Sequence, residues 1–377
     1  MDNKNDKHHW SWKRFKAFFS AFIKGKNYFL CGFPYQLSIE ENLLMREQVL
    51  DEMQEEDFDI NSWQIEMEAM FFGESEKAYF SYEDLNRSRT IKKPFLPMTD
   101  EEYIKYKGDK NRYKFFKKKK PGEIRVMGVD VAIMGGAEND ATSFMFVRCL
   151  PHGNEYIKTI EYAETMEGQH SSIQALRLKQ LFYDFDCDFC AMDTGGNGIS
   201  IYEEVTKITI DNARGVEYPA WSAMNDDKMR DRAFDKNAVP LIYSIKITGI
   251  GGAESNHEMA TYTKTQFQKN KVQLLCSEIE GKEYLLENQK ELKFTDEEIK
   301  RMIAAYFQIT RLVHEMINLE TEAREGYIKL KTVGMNRKDR YSSLAYPFFY
   351  IKGLERELRL KDTEEDGLTL LSKYSFL

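Results

Sequence analysis

A chain of 377 residues, 42 % hydrophobic and 13 % aromatic, can bury a large core and is long enough for two domains. With 54 basic against 62 acidic side chains the formal net charge is −8, which excludes a general cationic coat and makes any contact with a polyanion local. Five cysteines (Cys31, Cys149, Cys187, Cys190 and Cys276) are an odd number in a long chain and point to free thiols in a reducing compartment rather than a disulfide framework.

From His8 to Lys24 the chain is aromatic and basic, but Lys13, Arg14 and Lys16 interrupt its apolar stretches and no small-residue cleavage site follows, so it does not read as a signal peptide. No apolar run approaches the roughly 20 residues of a membrane span. The stretch reads as an amphipathic helix, packed on a neighbouring domain or lying on a membrane surface. A short strand is expected over Asn27–Phe33. A helix follows from Ser38 to about Met53, opened by a capping box in which Ser38 pairs with Glu41. A mixed segment over Phe58–Phe80 ends the first part.

Between Thr90 and Gly122 the composition shifts sharply. Lys105, Lys107, Lys110, Arg112, Lys114, Lys117, Lys118, Lys119 and Lys120 are interleaved with Tyr103, Tyr106, Tyr113, Phe115 and Phe116, among Pro94, Pro97 and Pro121. Such a run is either a solvated linker or a strap that tracks phosphates, its rings anchoring or stacking.

The second part opens with a strand at Ile124–Val131. A Gly-rich turn (Gly135–Asp140), a strand at Thr142–Cys149, a turn at Pro151–Asn154 and a strand at Tyr156–Tyr162 complete an antiparallel meander. Helical spacing of Ile173, Leu176, Leu178, Leu181, Phe182 and Phe185 predicts a helix over Ser171–Phe185, before Phe189–Asp193 returns to strand. Beyond it the sequence predicts helices at Ile199–Thr206 and Asp226–Lys236, a strand at Leu241–Thr248, a glycine loop at 249–252, a helix at Asn256–Lys269 and a strand at Val272–Cys276. A helix capped by Thr295 and Glu298, a strand at Tyr327–Thr332 and a last helix from near Asp339 past Leu358 follow. The fold class is α/β: an antiparallel three-strand meander extended by parallel strands and flanked by helices.

Three aspartates stand where apolar residues would be expected: Asp130 ending the first strand of the meander, Asp193 ending the fourth strand, and Asp339 opening the last helix. If the first and fourth strands are neighbours, Asp130 and Asp193 project side by side, and divalent cations relieve their repulsion. Carboxylate oxygens suit hard ions such as Mg²⁺ or Mn²⁺, and three of them can hold two ions about 4 Å apart around a phosphodiester.

Asp130 in "MGVDVA", Asp193 in "AMDTGGNG" and Asp339 in "RKDRYSSLAYPFFYIKG", with the meander, resemble the ribonuclease H-like nuclease domain of bacteriophage terminase large subunits. The resemblance covers residues 123–360 and implies a metal-dependent endonuclease that cuts concatemeric double-stranded DNA during packaging. Asp130, Asp193 and Asp339 are then the catalytic, metal-binding acids of a site using two Mg²⁺ or Mn²⁺ ions. It also implies a packaging ATPase chain or domain, a small terminase subunit and a portal as partners, no membrane, and the cytoplasm of an infected bacterial host as location. Residues 1–90 resemble the end of the terminase ATPase domain, 91–122 a basic linker, and 361–377 a C-terminal tail. No G-x-x-x-x-G-K-[ST] loop is present, so ATP hydrolysis is not expected of this chain alone. Alternatives are another ribonuclease H-like nuclease of resolvase or transposase type, and a non-catalytic docking subunit.

Asp140, before the second meander strand, is an ordinary turn residue or an accessory metal carboxylate. Arg337, Lys338, Arg340, Lys228, Arg230 and the Lys117–Lys120 run are candidate phosphate contacts that position DNA without reading bases. Cys187 and Cys190 imitate half a zinc site, but no second pair follows, and the thiols read as structural.

Overall fold

The computed structural model describes residues 10–26, 38–39, 41, 43, 45, 78–132, 141–196, 198–249, 251–324, 327–332 and 337–374. Two compact units divide the chain, Met1–Glu76 and Lys77–Leu377. In the first, helix α1 (Trp10–Ile23) carries Phe15 and Phe19 one turn apart with their rings stacked. The strand expected at 27–33, most of the helix from Ser38 and residues 58–77 lie outside the described residues.

The second unit is built on a mixed sheet. Its strands, among the described residues, are β1 (Arg89–Ile91), β2 (Ile124–Asp130), β3 (Thr142–His152), β4 (Glu155–Met166), β5 (Phe189–Asp193), β8 (Trp221–Ala223), β9 (Val239–Ile245) and β10 (Val272–Leu275). They run in the order β1-β10-β4-β3-β2-β5-β9-β8. Two hairpins, β6 (Thr209–Asp211) with β7 (Val216–Tyr218) and β11 (Leu319–Arg324) with β12 (Tyr327–Thr332), form separate small sheets. β2, β3 and β4 are the antiparallel meander, and β5 lies parallel to β2 with β9 parallel to β5. This is the arrangement expected from the sequence, an antiparallel three-strand meander extended by parallel strands. Because both faces are covered, the central strands read as continuous apolar runs, with five consecutive buried residues inside β2.

Among the described residues the α-helices of this unit are α2 (Tyr82–Arg87), α3 (Asp100–Tyr106), α4 (Ser171–Asp184), α5 (Gly198–Val205), α6 (Asp227–Asp231), α7 (Gly252–Gln268), α8 (Glu278–Leu292), α9 (Asp296–Ile317) and α10 (Asp339–Tyr374). On one face Met127, Val129, Phe144, Phe146, Cys190 and Met192 pack with Leu178, Leu181, Phe182 and Phe185 of α4 and Ile201, Tyr202 and Val205 of α5. Period-two alternation turns Gly128, Asp130, Ala191 and Asp193 to the other face, which α10 covers. The ring contacts of Tyr350 with Phe189 and Tyr243 mark that side. Thr295 and Glu298 make the expected capping box at the start of α9. Among the described residues no helix is long and apolar enough to cross a membrane.

Residues 78–122 differ from the expected organisation. They fold onto the second unit: β1 extends its sheet beside β10, and Phe95, Leu96, Met98, Tyr113 and Phe115 are buried. Phe95 packs edge-on to both Phe146 and Phe185, and in the basic run Tyr113 and Phe115 are buried while Tyr103, Tyr106 and Phe116 are half-buried, so the segment is not a solvated linker. Helix α6 is also shorter than expected, ending at Asp231, whereas α10 carries the supposed tail as helix to Tyr374.

Candidate active site

The register pairs Val129 with Met192, and one step further Asp130 and Asp193 end adjacent parallel strands. Their backbones are about 4.8 Å apart, and both side chains face the same side. The carboxyl ends of parallel strands are the usual place for a site in α/β sheets. Asp339, the first residue of α10, arrives from that side, 9 % exposed, its Oδ2 accepting from the Ala141 amide at 3.1 Å.

Two glycines let these elements close up. A Cβ on Gly128 would stand 1.9 Å from the Ser343 carbonyl oxygen and 2.6 Å from Pro347 Cδ, so α10 lies directly on the β2 backbone. Gly198 opens α5, and a Cβ there would stand 1.7 Å from the Asp193 carbonyl oxygen, which keeps the turn after β5 tight. Within that turn the Asp193 Oδ1 accepts from the Gly195 amide at 2.8 Å.

Burial first, and then the negative charge of Asp339, pushes the Asp130 carboxyl up to about 8, against hydrogen bonds from Ser342 and Tyr346 and the positive charge of Lys338. Burial also raises Asp193, partly offset by the Gly195 amide. Tyr346 donates to Asp130 Oδ1 at 3.2 Å, and its phenol is raised well above its ordinary value by burial and by the charges of Asp130 and Asp193. Asp130 is thus the common member of the cluster: the strand neighbour of Asp193 and the charge neighbour of Asp339.

Among the described residues no three histidine, cysteine, aspartate or glutamate side chains converge on a single point suited to one ion. The acids are arranged pairwise about Asp130. Their all-oxygen chemistry fits a hard divalent cation, and a buried carboxylate repelled by its neighbour is a group that positive charge relieves. Asp140 lies outside the described residues.

The cationic candidates separate into distinct environments. Lys338 is exposed beside the cluster, its charge acting on Asp130. Arg337 pairs with Glu167 at 2.6 Å. Arg340 is instead buried, its Nη1 on Glu315 at 2.6 Å and its Nε on Gln308 at 2.8 Å, which ties α10 to α9 and removes it from the surface. Lys228 is exposed on α6, while Arg230 spends its guanidinium on the Ala223 and Met224 carbonyls and Asp227. Lys117 pairs with Glu161 at 2.6 Å and Lys119 with Asp188 at 2.7 Å. Lys118 and Lys120 beside them are exposed. Asp188 precedes the first residue of β5 and Asp193 is its last, so this run lies about 16 Å from the acids, at the opposite end of that strand. Lys117 and Lys119 brace that end of the strand.

Sequence reasoning passed over Ser342, Tyr346 and Lys246. The first two follow Asp339 at spacings of three and seven, polar positions on one stripe of the helix. Lys246 follows β9 beside the strand that ends in Asp193, 61 % exposed and 2.8 Å from Asp226.

No family model and no curated protein matches the chain. Comparison with solved structures does find likenesses. Its structural neighbours are large terminase nuclease domains of bacteriophages. The magnesium-bound nuclease of the large terminase from thermophilic phage G20c is 16 % identical, over 73 % of this chain and 97 % of that one, with a TM-score of 0.40. The large terminase nuclease domain of Thermus phage P74-26 is 14 % identical, over 71 % and 93 %, at 0.35. For the large terminase nuclease domain of bacterial virus Sf6 the values are 12 %, 73 % and 97 %, and 0.35.

Proposed function

We propose that the chain is the metal-dependent endonuclease of a viral DNA-packaging terminase. What supports this reading is that Asp130 and Asp193 end adjacent parallel strands and that the charge of Asp339, at the start of α10, acts on Asp130. Each acid is also the residue at which the sequence resembles the terminase nuclease. Asp130 would be shared, with Asp339 and Asp193 each completing a donor pair for one of the two Mg²⁺ or Mn²⁺ ions that the resemblance implies. Divalent cations held there supply positive charge to a phosphodiester and lower the pKa of water near it. The chain's own contribution is placement: the Ala141 amide fixes Asp339, the Gly195 amide fixes Asp193, and the turn at Gly198 keeps the strand end close.

The substrate is double-stranded DNA, held through its phosphates with little sequence preference. Lys338 and Lys246 flank the acids as the cations best placed for such contacts, with Lys228 further out. A packaging ATPase, a small terminase subunit and a portal are the partners of this reading, in the cytoplasm of an infected bacterium.

Plasmid cleavage by the purified chain in Mg²⁺, in Mn²⁺ and in chelator tests it, with Asp130→Ala as the contamination control. Metal-dependent nicking that disappears in the variant is expected. Cutting that survives in both Asp130→Ala and Asp193→Ala would remove the site assignment.

A further inference from the structure

Asp339, Ser342 and Tyr346 follow one another at spacings of three and four on α10, which places them on a single stripe of the helix. That stripe faces β2, because Ser343 and Pro347 beside it lie on Gly128. Ser342 is 8 % and Tyr346 2 % exposed. The Tyr346 hydroxyl donates to Asp130 Oδ1 at 3.2 Å, the Ser342 hydroxyl on the same stripe favours the charged form of Asp130, and the Tyr346 phenol lies within the charge field of Asp193 as well. A buried carboxylate at a strand end has two torsions free to turn. The Tyr346 hydroxyl, carried on a helix, restrains them, and it leaves the second carboxylate oxygen and the remaining lone pairs for other partners.

We infer that Tyr346, assisted by Ser342, is a positioning residue that holds the Asp130 carboxylate in the orientation needed to pair with Asp339 about one cation and with Asp193 about another. This rests on the metal-site reading above. The same helix therefore delivers one acid and aims another, so metal affinity depends on the seating of α10 and not on the three acids alone. Partners that orient a metal-binding carboxylate are commonly worth about ten-fold to a hundred-fold in metal affinity. A tyrosine whose hydroxyl had merely found an acceptor in the core would affect stability and leave metal affinity unchanged.

The test is Mn²⁺ titration calorimetry on the full chain, comparing the native protein with Tyr346→Phe, Ser342→Ala and Asp130→Asn, each checked by circular dichroism and thermal melting. Tyr346→Phe keeps the ring and its packing, and its Mn²⁺ affinity is expected to fall about ten-fold. Ser342→Ala should show a smaller fall in the same direction, and it carries the test should the phenylalanine variant not fold. In cleavage assays Tyr346→Phe should need more Mn²⁺ for half-maximal rate and regain the native rate at saturation. Native Mn²⁺ affinity in both folded hydroxyl variants would overturn the inference while leaving the metal site standing. No Mn²⁺ uptake by the native chain, or undiminished uptake by Asp130→Asn, would overturn the metal-site reading and this inference with it.

Discussion

The Gly128 backbone lies against the Ser343 carbonyl, which Pro347 leaves without the amide partner that residue i+4 supplies in an α-helix. A side chain at 128 would stand 1.9 Å from that oxygen, so glycine is what allows α10 to seat on β2 and carry Asp339 to Asp130. The paired position on β5 is Ala191, the next smallest residue. Gly128→Ala should therefore destabilise the second unit by about 1–3 kcal/mol, the usual cost of overpacking, and weaken metal binding because α10 must lift. Gly353 is also on α10, exposed, with nothing within 4 Å of an added Cβ. Gly353→Ala should stabilise by about 1 kcal/mol, the helix-propensity difference. Urea melts of the two variants check the opposite signs.

Replacing the acids should separate activity from stability. Burial and Asp339 both disfavour a charge on Asp130, so Asp130→Asn relieves repulsion while keeping the geometry of the Tyr346 contact. Its melting temperature should equal or exceed that of the native chain, and its metal-dependent cleavage should fall to the chelator background. Asp193→Asn should lose cleavage too, with a smaller change in melting. A large drop in melting temperature for Asp130→Asn would mean that the carboxylate is structural.

The meander, the strand ending in Asp193 and the capping box at Thr295 were legible because each has a local cause: apolar runs bounded by Gly and Pro turns, or a polar residue three places from a glutamate. β1, β8 and the hairpin strand β11 were not. Arg89–Ile91 and Trp221–Ala223 are three residues long and become strands by pairing with distant partners, and Leu319–Arg324 is a charged alternation held by Tyr327–Thr332 across a turn. The acids could be read from their positions at element ends. The fate of the cations could not, because a lysine beside a distant aspartate looks, in sequence, like a lysine in water. Lys119 with Asp188 and Arg340 with Glu315 are pairs that only the folded chain creates.

Glu123 is buried between Arg125 and Arg148, accepting from Arg125 Nε at 2.6 Å and from Arg148 Nε at 2.9 Å. Burial alone would raise its carboxyl, but Arg148, the Lys120 amide and Arg125 outweigh it and hold the group at about 2. A carboxylate depressed in the folded state stabilises the fold above its ordinary value of 4.5. That contribution is lost as pH falls from there toward 2. Melting temperature should therefore drop across this interval more steeply for the native chain than for Glu123→Gln. At neutral pH the variant should be less stable by about 3 kcal/mol, since it leaves two buried guanidinium groups short of a partner.

If DNA lies across the acids, the cations near them and those at the far end of β5 should respond differently to salt. Removing a lysine that neutralises a phosphate lowers the slope of log K against log salt by about 0.9. Lys338→Gln should do so and weaken binding evenly across sequences, and Lys246→Gln should act in the same direction once its hold on Asp226 is counted. Lys117→Gln and Lys119→Gln should leave the slope unchanged and instead lower the melting temperature. Their partners are Glu161, buried along β4 and also held by Arg148, and Asp188, partly exposed at the amino end of β5. Fluorescence anisotropy with a short duplex, in Ca²⁺ to suppress cutting, measures all four slopes. A reduced slope in the Lys117 or Lys119 variant with no effect of Lys338 would place the DNA at the opposite end of β5 and overturn the assignment of the binding face.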